Sequence, residues 1–147
     1  MRVLLDTNCL VAAALSQHEH HLATVADLSR RMAAGQTFLL AAHSVLEAYA
    51  VLTRLPPPHR QAPADALGVL ERNWSTTDTL VLTGAETWRL VRQHGAARIA
   101  GGRVYDGHIA ACARKAKADE ILTWNVRHFQ ATRGVRAVAP RATSTSA

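Results

Sequence analysis

The segment Arg2-Val3-Leu4-Leu5-Asp6-Thr7-Asn8 decides the fold. Its apolar run does not alternate with polar residues, which is the pattern of a strand buried on both faces, as in a parallel sheet. Asp6, Thr7 and Asn8 close it with residues that cap helices. Leu10, Val11, Ala14 and Leu15 then share one helical face, so a helix should follow the strand directly.

Working outward, the same unit repeats. A second helix is expected from Leu22 to Ala34, stopped by Gly35, followed by an apolar strand from Thr37 to Ala41. The next helix should open at Ser44-Val-Leu-Glu47, whose Ser and Glu spacing reads as a capping box, and carry Leu46, Tyr49, Ala50 and Leu52 up to Pro56-Pro57-Pro58. Beyond the prolines, Ala64 to Asn73 reads as helix and Thr79 to Leu82 as strand. Ala85 to His94 reads as an amphipathic helix with Trp88 and Val91 inward and Gly95 as its end. Arg98-Ile-Ala-Gly-Gly-Arg103 is a flexible basic connection. It leads into a helix from Val104 to Lys117 with Ile109, Ala110, Ala113 and Ala116 as a small-residue face. A strand from Glu120 to Thr123, a short helix from Asn125 to Thr132 and a last strand from Val135 to Val138 complete the chain. Short apolar strands alternating with helices define an α/β fold, a three-layer sandwich with a central mostly parallel sheet flanked by helices. One domain over residues 1–139 is expected, with 140–147 a disordered polar tail.

Composition narrows the class. The chain has 147 residues, 48% of them hydrophobic, enough for a real core and too many for disorder. No uncharged apolar stretch is long enough to span a membrane, and Asp6 arrives before a signal-peptide core could form. Two cysteines, Cys9 and Cys112, lack CxxC spacing and read as small buried fillers, so a reducing cytoplasmic location is expected. Lys and Arg number 17 against 11 Asp and Glu, and only Lys115 and Lys117 are lysines, so the cations are mostly guanidiniums. Planar forks of donors suit phosphate and carboxylate, which leans the chain towards nucleic acid or an acidic protein.

Ligands of such sheets sit beyond the carboxyl ends of the strands, where helices begin. Asp6 follows the first strand, Glu47 falls in the first turn after the second, Asp106 in the first turn of the late helix, and Asn125 just after the fourth strand. Each has a structural alternative: N-cap for Asp6 and Asn125, capping box for Glu47, and favourable helix-start acid for Asp106. Together at one edge, carboxylates repel one another and raise their own pKa values unless a divalent cation neutralises them. Hard oxygen donors without histidine or thiolate partners suit magnesium or manganese better than zinc. The other eight acids, Glu19, Asp27, Asp65, Glu71, Asp78, Glu86, Asp119 and Glu120, are expected on exposed faces or turns.

Four blocks carry a family resemblance: Val3-Leu-Leu-Asp6-Thr-Asn8; Ser44-Val-Leu-Glu47 with Tyr49 and Leu52-Thr-Arg54; Val104-Tyr-Asp106-Gly-His-Ile-Ala-Ala-Cys-Ala113; and Ile121-Leu-Thr123-Trp-Asn125-Val-Arg-His128-Phe129. In order and spacing they resemble the PIN domain, and more narrowly the VapC-type ribonuclease toxins, over residues 2 to about 138. The resemblance implies a PIN-like sandwich and a metal-dependent endoribonuclease. It also implies a homodimer held inactive by a cognate VapB-like antitoxin. Asp6, Glu47 and Asp106 match the three family acids that hold Mg2+ or Mn2+. Many members carry Asp at the fourth position, where this chain has Asn125, which leaves one negative charge fewer.

On this reading Asp6, Glu47 and Asp106 are catalytic and, with Asn125, ligate the metal, while water activated there attacks the phosphodiester in line. Asn8 and Thr123 are expected to support the ligands from behind, and Arg98 and Arg103, flanking Gly101-Gly102, to contact RNA. His18, His20 and His21 read as a solvated turn, and His43, His108 and His128 lie nearer the site. The three tryptophans read as core or interface residues, with Trp124 within reach of a base. Two other functions compete: a PIN module that binds RNA or an antitoxin without cleavage, and a haloacid-dehalogenase-like phosphatase. The phosphatase chemistry needs a second Asp two residues after Asp6, where this chain has Asn8.

Overall fold

The computed structural model describes residues 1–130 and 133–141. Among them a five-stranded sheet has the order β3-β2-β1-β4-β5, built from β1 (Arg2–Leu5), β2 (Thr37–Ala41), β3 (Asp78–Leu80), β4 (Glu120–Leu122) and β5 (Arg136–Val138). Every neighbouring pair is parallel, with Leu4 opposite Leu39 on one side and Ile121 on the other. The mostly parallel sheet expected from the apolar runs is therefore wholly parallel among the described strands. Because β1 sits in the middle, its alternate residues face different layers, and both must be apolar. Val3 and Leu5 enter one core with Leu10, Leu40, Leu52 and Leu70, whereas Leu4 enters the other with Leu39, Ile109, Ala113 and Ile121.

The first layer contains α1 (Thr7–Ala14), α2 (His21–Ala33), α3 (Ala42–Arg54) and α4 (Pro63–Trp74); α5 (Gly84–Ala96) and α6 (Arg103–Lys115) belong to the second. Gly35, with φ of +70°, turns the chain out of α2, a backbone conformation that side-chain-bearing residues adopt at a cost. At Gly107 the reason is contact: a Cβ there would overlap the His94 ring, so this glycine lets α6 approach α5.

Several expectations need correction. α3 begins at Ala42, directly from β2, so Ser44 is its third residue and Glu47 lies in its second turn. Ser44 and Glu47 form no capping box; the Ser44 hydroxyl is buried without a partner among the described residues. A capping box instead joins Thr83 and Glu86 at the start of α5. Trp88 and Val91 do not face inward: they are 62% and 46% exposed, and Leu90 is the buried residue of α5. That helix also continues through Gly95 to Ala96.

The short helix expected over 125–132 is a 3-10 turn, Val126–Phe129, and residues 131 and 132 lie outside the described residues, as do 142–147 of the expected tail. Asp27 and Glu120, expected on exposed faces, are buried. Arg31 joins them, bonding Asp27 at 2.7 Å and Glu120 at 2.9 Å, with Arg30 and Arg136 as further partners. This network ties α2 to the amino-terminal ends of β4 and β5.

Candidate active site

The strand order places a topological switch between β1 and β4: the chain leaves β1 towards β2 and β3, then crosses back to the other side of β1. Clefts form at such a switch because the flanking connections diverge to opposite faces. Here it opens between Asp6, immediately after β1, and Thr123, immediately after β4. One pocket over it is lined by Asp6, Thr7, Asn8, Glu47, Asp106 and Asn125, with His18 and Tyr105 at its sides. All four residues expected as ligands are thus brought together from four separate elements.

Asp6 is the most tightly held. As the N-cap of α1 it accepts the Thr7 N–H on Oδ1 at 2.7 Å, so its capping role is real. Its Oδ2 accepts the Thr123 hydroxyl at 2.6 Å and the Asn8 amide at 3.0 Å. The Thr123 oxygen in turn accepts Asn8 Nδ2 at 3.1 Å and the Asn125 N–H at 3.0 Å. Asn8 Oδ1 takes the Trp124 N–H at 3.1 Å, which fixes which end of its amide faces Asp6. Asn8 and Thr123 thus both donate to Asp6 Oδ2.

Thr7 was missed. Its hydroxyl donates to Glu47 Oε2 at 2.9 Å, so the residue between Asp6 and Asn8 links the first acid to the second. His43 Nε2 lies 3.5 Å from the same oxygen, one turn earlier on α3. Asp106, in the first turn of α6, has Oδ2 3.3 Å from His128 Nδ1. Proximity of His43 and His128 to the site was expected; that each lies beside a different acid was not legible. Arg103 opens α6 and is exposed, with its charge acting on Asp106. Arg98, at φ of +54°, is exposed in the loop after α5, and neither arginine lines the pocket.

The electrostatics match a crowded anionic site. Burial raises the Asp6 pKa; hydrogen bonds from Thr123 and Thr7 oppose the rise, and the fields of Asp106 and Glu47 add to it. Burial also raises Asp106, with His128 and Arg103 pulling it down and Glu47 pushing it up. As they stand, no three His, Cys, Asp or Glu side chains among the described residues gather closely enough to hold an ion. The donor set nevertheless fits a hard divalent cation: three carboxylates and an amide oxygen line one pocket, and the charge of Glu47 disfavours the ionised forms of Asp6 and Asp106.

Trp124 is committed elsewhere. Its Nε1 donates to Thr24 at 2.9 Å and its ring stacks on His20 at 3.9 Å, so it clamps the turn before α2.

The class that this sheet and this ring of acids define is also the one found by comparison. A family model for the PIN domain matches residues 3–134, and the chain belongs to that family. Within it, the chain is 37% identical over 123 residues to ribonuclease VapC40 of Mycobacterium tuberculosis, covering 83% of this chain and 85% of that one. Ribonuclease VapC27 of the same organism is 35% identical, with 83% of each covered. Among solved structures, VapBC2 from Rickettsia felis, bound to a DNA fragment from its promoter, superposes with a TM-score of 0.69 over 95% of this chain and 98% of that one. At 15% identity that match speaks for the fold alone.

Proposed function

We propose that this chain is a metal-dependent endoribonuclease, the toxin of a VapBC-type toxin–antitoxin pair, that hydrolyses RNA phosphodiester bonds. The observation that carries the proposal is the meeting of Asp6, Glu47 and Asp106 in one pocket at the sheet's switch point. The names of the VapC40 and VapC27 relatives support the ribonuclease reading.

Asp6, Glu47 and Asp106, with Asn125, are the residues that would hold Mg2+ or Mn2+. Such a cation would supply a Lewis acid for the phosphoryl oxygens and lower the pKa of attacking water. The chain's own residues do the rest. Asp6 is fixed by Thr123, Asn8 and Thr7, so its oxygens need little reorganisation. Glu47 has Oε2 engaged by Thr7, leaving Oε1 to orient the attacking water and take its proton. Arg103 lies one helical turn from Asp106 and offers a phosphate contact; Arg98, further along the loop, extends it. Attack by water leaves a 5′-phosphate and a 3′-hydroxyl.

Partners follow from the same reading: an RNA substrate, a VapB-like antitoxin and a second copy of the chain, in the cytoplasm. Exposed Leu46 and Tyr49 of α3 offer the apolar surface for a protein contact. No helix among the described residues is long and apolar enough to cross a membrane.

Mapping the ends of the RNA products tests the chemistry. A 5′-phosphate on the downstream fragment is expected. A cyclic phosphate formed in EDTA would overturn it, and turnover of p-nitrophenyl phosphate in place of RNA would favour the phosphatase alternative.

A further inference from the structure

We infer that Tyr105 is a stacking platform for one unpaired nucleobase of the RNA, beside the carboxylate pocket, and so selects single-stranded over paired substrate; this rests on the nuclease reading above. Tyr105 immediately precedes Asp106 and lines the pocket, yet it remains 50% exposed. One face of its ring lies against His43, with centroids 4.6 Å apart and planes 8° from parallel. His43 is in turn set edge-on to His108 at 5.6 Å, so α3 and α6 together brace the phenol. A ring covered on one face by His43 and still half exposed keeps surface for a second stacking partner, and Tyr105 lines the same pocket as the three acids.

Stacking on such a ring supplies affinity without charge, and every base has a π-face to offer, whereas a base inside a duplex presents only its edges. Trp124, the other aromatic near the site, is less exposed than Tyr105 and has its Nε1 bonded to Thr24, so it offers the poorer platform. Removing the platform should weaken RNA binding on the order of ten- to a hundredfold.

The test uses the full chain and an RNA oligonucleotide of mixed sequence carrying 2-aminopurine, whose fluorescence is quenched when it stacks. In the Asp106→Asn background, which prevents cutting, binding should quench the probe. Tyr105→Phe should keep the quench, and Tyr105→Leu should abolish it and raise Kd by the factor above. In otherwise unaltered chain, Tyr105→Leu should raise KM for a cleaved single-stranded RNA with little change in kcat. An abasic substitution at one position of that RNA should cost the original chain as much, and the leucine variant nothing more. Equal quenching and equal KM for the leucine variant overturn the inference. Absence of metal-dependent cutting by the original chain would instead count against the nuclease reading, while the quenching comparison still decides whether a base stacks on Tyr105.

Discussion

Thr123 Oγ1 donates to Asp6 Oδ2 at 2.6 Å across the gap between β1 and β4, joining residues 117 positions apart. The same oxygen accepts from Asn8 and from the Asn125 backbone, so one buried hydroxyl uses its donor and both lone pairs. Thr123→Val keeps the shape and removes all three bonds. It should cost about 1–3 kcal/mol by leaving buried partners unsatisfied, and it should lower RNA cleavage, with Thr123→Ser losing far less. Denaturant unfolding and cleavage rate check both; a valine variant as stable and active as the parent would remove Thr123 from the account.

Asn125 is where a fourth acid would complete the ring. Asn125→Asp adds a charge to a pocket where burial, reinforced by neighbouring carboxylates, already raises Asp6 and Asp106. Without divalent cation the variant should melt lower than the parent; with manganese it should gain more in Tm. Equal shifts in both proteins would separate Asn125 from the cation.

The Arg31 network predicts acid lability. Burial pushes the Asp27 carboxyl up, but hydrogen bonds from Arg31 and Arg30 outweigh it and hold the group below the usual range. A depressed pKa in the folded state means stability that is present above the unfolded value of about 3.9 and lost as pH falls through the folded one. The stability gap between the parent and Asp27→Asn should therefore be full at neutral pH and shrink below about pH 4. Arg31→Ala, which leaves the buried Asp27 and Glu120 with only Arg30 and Arg136 as partners, should cost up to about 3–5 kcal/mol, the range for a buried pair that loses one member.

Gly107 lies next to Asp106, and a methyl there meets the His94 ring, whose Nδ1 is already bonded to Leu90 O at 3.0 Å. Alanine ordinarily gains about 1 kcal/mol over glycine inside a helix. Here overpacking by about 1–3 kcal/mol should cancel or exceed that gain. Activity should fall with it, since α6 carries Asp106. The double variant Gly107→Ala/His94→Ala should recover both, and a stabilised, fully active single variant would contradict the close approach.

The layers and the ligand edge were legible because they follow from local pattern. Val3-Leu4-Leu5 has to be apolar on both faces, Asp6 follows β1 directly, and Glu47 and Asp106 lie in the early turns of α3 and α6. What the sequence concealed depends on distant partners. Asp27 and Arg31 stand four apart on α2, a spacing the sequence does offer, but nothing in it brings Glu120, 89 positions away, to the same guanidinium. Trp88 and Val91 read as inward because they are apolar, but α5 buries only Leu90, which lies against α6 at Gly107. Ser44 and Glu47 had capping-box spacing, yet β2 runs into α3 without a turn, leaving no N-cap position for Ser44. Thr7 was passed over because its role depends on α3 bringing Glu47 to its hydroxyl.

The most direct test is cleavage of a mixed pool of structured RNA by the purified chain in manganese, in magnesium and in EDTA, beside Asp106→Asn prepared identically. Cutting that requires the cation and disappears in the variant is the predicted result. Cutting that persists in EDTA, or equally in the Asp106→Asn protein, would contradict a reaction run by these three carboxylates.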